Sequence, residues 1–121
     1  MKVCITSKGK EKNSPTDLRF GRCKYFAIYD DETEEIEYID NSSISANQGA
    51  GITAAQKIID IGAGAVVTGK MGPNAMKIIE ASNIDVYRFE EGTVEEAVKS
   101  FKENKLSKIN TPVSAHSGLK N

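Results

Sequence analysis

Apolar residues fall along this chain in two rhythms. Early on they come as short runs suited to strands: Val3-Cys4-Ile5-Thr6, Tyr25-Phe26-Ala27-Ile28-Tyr29 and Ile36-Glu37-Tyr38-Ile39. The last two flank the acidic connector Asp30 to Glu35, which reads as the solvated turn of an antiparallel hairpin. In the second half, strand-like runs alternate with helical spacing. Ile52, Ala55, Ile58 and Ile59 mark one face of a helix, and Gly62 is placed to end it. Ala65-Val66-Val67-Thr68 reads as a strand, Ala75, Met76, Ile78 and Ile79 as a second helix, and Ile84 to Phe89 as another strand. Val94, Ala97, Val98 and Phe101 supply the buried stripe of a third helix, which starts at the capping box Thr93/Glu96 and ends near Asn104.

The order β-β-β-α-β-α-β-α implies right-handed parallel crossovers in the second half and a mixed sheet with helices packed on it. Cys4 should face away from Val3 and Ile5 and pack as a small buried hydrophobe. If the first strand lies beside residues 65–68, the two form a switch point, and loops leaving the carboxyl ends meet at one edge. That edge would gather Ser7 to Arg22, Asn41 to Gly51, Gly69 to Asn74 and Glu90 to Gly92. Gly64, Gly69 and Lys70 almost match a phosphate loop, but Met71 stands where Ser or Thr belongs, and the residues between the glycines read as the strand itself. Pro73 suits the first turn of the helix that follows.

A length of 121 residues suits one core, and 16 basic against 17 acidic side chains offer no general reason to bind nucleic acid or an anionic membrane. No apolar run approaches the roughly 20 residues of a membrane span, and the apolar start is too short for a signal peptide, so a cytoplasmic protein is expected. Cys4 and Cys23 are read as free thiols, and with one histidine, His116, they are too few for a structural zinc site. Residues 107–121 carry Pro112 and Gly118 with little periodicity, so a flexible C-terminal tail is expected, with His116 on its surface.

Candidate chemistry concentrates in the long loop after the first strand. Cys23 follows Arg19, Gly21 and Arg22, and nearby positive charge favours a thiolate able to bind soft metals. Helix starts near Gly51 and Pro73 would aim free N–H groups at the same edge and attract anions. The opposing reading, in which the arginines only solvate the loop and Cys23 packs inward, is equally open. Without a thiol ligand, the same loops suit a regulatory module for a nucleotide or oxyanion. A two-metal nuclease needs a carboxylate beginning on the first strand, and Met1 to Thr6 has none.

Four motifs in order, Arg19-Phe20-Gly21-Arg22-Cys23-Lys24-Tyr25-Phe26, Gly49-Ala50-Gly51-Ile52, Val67 to Ala75, and Val86-Tyr87 with Gly92 to Ala97, resemble the dinitrogenase iron-molybdenum cofactor biosynthesis family. That family includes NifX, NafY, the C-terminal part of NifB and small stand-alone members. The resemblance covers about residues 1–106 as a single nitrogenase-accessory-factor-like domain. It implies a three-layer α/β fold with a ribonuclease-H-like motif: three helices on a mixed five-stranded sheet of order 3-2-1-4-5, strand 2 antiparallel. It also implies a non-enzymatic carrier for an iron-sulfur or iron-molybdenum type cluster or its precursor, with a cluster donor or acceptor protein as partner. Members in nitrogen-fixing systems often carry histidine just before the Phe-Gly pair, where this chain has Arg19, leaving Cys23 as the candidate metal ligand. Cofactor-binding residues are then Arg19, Gly21, Arg22, Cys23, Gly49, Gly51, Gly69, Lys70 and Gly72.

Overall fold

The computed structural model describes residues 1–42 and 49–109. At its centre is β1 (Lys2–Ser7), a strand buried from Val3 onward and apolar on both faces. Such a strand needs neighbours on both sides and a layer above and below. It pairs antiparallel with β2 (Tyr25–Asp30), which pairs antiparallel with β3 (Ile36–Asp40). On its other side it runs parallel to β4 (Ala63–Thr68), which runs parallel to β5 (Asp85–Arg88).

The helices α1 (Ala50–Ile61), α2 (Pro73–Ala81) and α3 (Val94–Lys102) connect or follow these strands. Cys4, Phe26, Val66 and Val86 form one core with Ile58 of α1 and Met76 and Ile79 of α2. Val3, Ile5, Tyr29, Ala65 and Val67 form a second core with Val94 and Ala97 of α3. Cys4 therefore points away from Val3 and Ile5, as strand alternation requires.

Local signals also set the helix ends. Gly62 takes a left-handed conformation, φ 86°, and its N–H donates to the carbonyls of Ile58 and Ile59. Pro73 occupies the first turn of α2. The Thr93 hydroxyl accepts from the Glu96 N–H at 3.1 Å while the Glu96 carboxylate accepts from the Thr93 N–H at 2.9 Å.

Among the described residues the sheet has six strands, not the expected five. Its order is β3-β2-β1-β4-β5-β6, the last being Ser107–Lys108, antiparallel to β5. The open edge of β5 makes this strand: Ile109 N–H donates to the Val86 carbonyl at 2.7 Å, a pairing that two exposed polar residues do not advertise. Residues 110–121, with His116, and loop residues 43–48 lie outside the described residues.

Ile58 is fully buried between α1 and the sheet. Ile58→Ala should cost about 2–5 kcal/mol, read as a lower guanidinium midpoint with an unchanged denaturant slope.

Candidate functional site

The central parallel strands end in hydroxyls. Thr6 and Thr68 are buried, their Oγ1 atoms 2.9 Å apart, with the Asp17 carbonyl 2.6 Å from Thr6 Oγ1 and the Leu18 carbonyl 3.4 Å from Thr68 Oγ1. These hydroxyls receive the returning loop of residues 8–24. Further backbone bonds hold it: Asp17 N–H to Thr6 O, Thr16 N–H to Gly92 O, Lys70 N–H to Leu18 O and Phe20 N–H to Lys70 O. Arg19 and Lys70 thus meet as a short parallel bridge across the carboxyl edge.

That crossing splits the edge in two. On the α3 side a cavity of about 680 Å³ is lined by Lys8, Asp17, Glu90 and Glu91 among others, with charges of both signs. On the α1/α2 side a cavity of about 500 Å³ has Arg19, Arg22 and Lys70 in its wall, and none of the described residues lining it is acidic. Arg19 and Lys70 line both. Arg19 is anchored on the Asp17 carboxylate by its backbone N–H at 3.0 Å and its Nε at 3.3 Å, while its side chain stays 63% exposed.

The floor of the second cavity is backbone. Gly49, Ala50 and Gly51 open α1, and Gly72, Pro73 and Asn74 open α2. Neither helix receives a side-chain cap from the described residues. The first helical bonds are Thr53 N–H to Gly49 O and Met76 N–H to Gly72 O, so earlier N–H groups have no partner within their helices. Gly49, at φ 77°, turns the chain into α1 in a conformation that side chains resist. Gly21 is needed for a different reason: a Cβ there would lie 2.8 Å from the Gly51 nitrogen, so loop and helix start touch backbone to backbone.

Of the residues singled out from sequence, Arg19, Gly21, Arg22, Gly49, Gly51, Lys70 and Gly72 line this one cavity. Gly69 lies behind it, against Leu18, where a Cβ would clash with the loop. Cys23 is not in the wall. Its side chain is buried in the α1/α2 core, and its Sγ donates to the Phe20 carbonyl at 3.4 Å. Of the two readings of Cys23 the inward-packed one matches the structure: burial, then the charge of Asp17, pushes the thiol up to about 12. Exposed guanidinium groups cannot offset that desolvation.

Asn41, which sequence reasoning missed, fastens the loop's end. It is 2% exposed, and its Nδ2 donates to the carbonyls of Cys23 at 2.8 Å and Gly21 at 3.3 Å. Thr6 and Thr68 were equally silent, reading only as strand ends. Among the described residues no group of three His, Cys, Asp or Glu side chains is arranged to hold a metal ion.

The family model described as "Dinitrogenase iron-molybdenum cofactor" matches residues 1–104. This chain belongs to that family. Residues of three of its four sequence motifs line the basic cavity, whereas Val86-Tyr87 and Gly92 to Ala97 lie outside it. It is 34% identical over 100 residues to the uncharacterised protein MJ0580 of Methanocaldococcus jannaschii, a match covering 80% of this chain and 85% of that one. Among solved structures it resembles the apo form of the orange protein from Desulfovibrio gigas, with 35% identity, a TM-score of 0.88 and coverage of 92% and 94%. A NifB candidate from Thermotoga, TM1290, matches at 35% identity with a TM-score of 0.83, covering 97% of this chain and 98% of that one.

Two expectations follow from this geometry. Gly21→Ala should push the loop off α1, shifting the amide resonances of residues 50–52 and lowering stability by about 1–3 kcal/mol. For Cys23, the folded chain keeps a proton that the unfolded chain releases near the ordinary value of 9.0. Its contribution to stability is present below pH 9 and is lost as pH rises toward about 12. Denaturation midpoints measured across that window should fall less steeply in Cys23→Ala, and iodoacetamide should label Cys23 only after unfolding.

Proposed function

We propose that this chain is a non-enzymatic carrier for an anionic iron-sulfur or iron-molybdenum type cluster or its precursor, held in the basic cavity at the carboxyl edge. The observation that carries this reading is local charge. Three cationic side chains and two helix starts converge on about 500 Å³ with no acid among the described lining residues, in a chain whose net charge is −1. Family membership and an orange-protein relative described in an apo form support it. The strand order, with β2 antiparallel, supports reading the fold as a ribonuclease-H-like motif.

Arg19, Arg22 and Lys70 neutralise the cargo's charge, and the Gly49–Gly51 and Gly72–Asn74 backbones approach it closely. Cys23 can serve as a metal ligand only if the loop lifts from the core, so in the closed fold the cargo brings its own sulfur ligands. The chain then receives and passes the cargo in the cytoplasm, between a donor and an acceptor protein. The uncapped helix starts favour a second reading, a regulatory site for a nucleotide or oxyanion without a metal cluster.

Anaerobic incubation with iron, molybdate and sulfide, followed by gel filtration, should leave metal, sulfide and visible absorption on the protein. The combined change Arg19→Ala, Arg22→Ala and Lys70→Ala should abolish retention. Loss in Cys23→Ala alone would show that the loop opens to ligate. A wild-type protein that stays colourless and metal-free while its melting temperature rises with molybdate would establish the oxyanion reading instead.

A further inference from the structure

The face of the sheet under α3 holds a polar group without a use. Tyr29, on β2, is 2% exposed, and its hydroxyl is buried with no hydrogen-bond partner among the described residues. It lies between two cavities of about 490 and 330 Å³ at the amino end of the parallel strands, away from the basic edge. Tyr29, Glu34 and Lys102 line both cavities and so form the partition between them.

The partition is closed by an exposed ion pair. Lys102 Nζ lies 2.9 Å from Glu34 Oε1, with the side chains 47% and 66% exposed. An exposed ion pair of this kind adds little to stability, whereas an orphaned buried hydroxyl is costly. Lys102 and Tyr29 line the same two cavities, which places the ammonium and the phenol in one partition. The larger cavity continues onto an apolar wall of Leu106 and the edge-to-face pair Tyr87 and Phe101, whose rings are 5.4 Å apart.

We infer that this is a second binding site, for a small aromatic or branched-chain carboxylate. Its carboxylate displaces Glu34, takes the Tyr29 O–H and the Lys102 ammonium as donors, and leaves the apolar body against Tyr87, Phe101 and Leu106. One donor is neutral and pre-buried and the other is charged, which suits an anionic acceptor, while Asp31 in the larger cavity and Glu95 and Glu103 in the smaller confine the carboxylate to these two donors.

The full chain is titrated with phenylacetate at millimolar concentrations, with acetate and phenethylamine as controls, and followed by amide resonances. Saturable shifts at residues 29, 101, 102 and 106 with phenylacetate, and none with the amine, are expected. Tyr29→Phe keeps the ring packing and should weaken binding about tenfold, as should Lys102→Met. Without ligand, Tyr29→Phe should unfold at the same or a higher temperature. The inference is overturned by an absence of saturable shifts, by equal binding in both variants, or by a lower melting temperature for Tyr29→Phe, which would show that the hydroxyl already has a partner.

Discussion

The arrangement of this molecule depends on two threonine hydroxyls buried side by side. The register of β1 against β4 aligns Ile5 with Val67, so the next pair, Thr6 and Thr68, meets at the end of β4 and one residue short of the end of β1. Two hydroxyl protons are shared between two carbonyls and each other, which gives the returning loop a polar anchor inside an otherwise apolar layer. An apolar residue at position 6 would take the hydroxyl donor from the Asp17 carbonyl, whereas the Leu18 carbonyl would keep the Lys70 N–H at 2.7 Å. The loop's path, its pairing with Lys70 and the position of Arg19 all follow from that anchor.

Given the anchor, charge and burial divide the labour. Arg19, Arg22 and Lys70 are exposed at the edge, whereas Cys23, only one residue past Arg22, turns into the core. A single peptide step separates a side chain solvated by water from one packed in hydrocarbon. For a thiol the second environment dominates, because its neutral form costs nothing to bury and its charged form costs much. Proximity along the chain gathered the cations but left the thiol open between an edge ligand and a packed core residue, and burial decides for the second.

Much of the fold was legible because local and global signals agree. Helical spacing in Ile52 to Ile59, the glycine stop at Gly62, Pro73 and the Thr93/Glu96 box mark three helices, and alternation sorts Cys4 from Val3 and Ile5. The candidate cavity was legible through its glycines and basic residues, since the edge where they meet follows from topology alone. What could not be read was lateral. The Thr6 to Thr68 contact depends on strand register, Asn41 on a loop returning past Cys23, and β6 on an empty edge offered by β5. None of these leaves a periodic trace in the sequence.

That last strand has a consequence for the molecule among its own copies. An open β5 would present a row of unpaired backbone groups, an invitation to another chain's strand. Ser107 and Lys108 occupy part of that row themselves, and both are exposed, with Lys108 Nζ 3.4 Å from Asp85 Oδ1. Two polar residues are too short a strand to template a third. The far edge, β3, carries the charged side chains Glu37 and Asp40. Among the described residues both edges of the sheet thus carry exposed charged side chains, which disfavour pairing with another chain's strand.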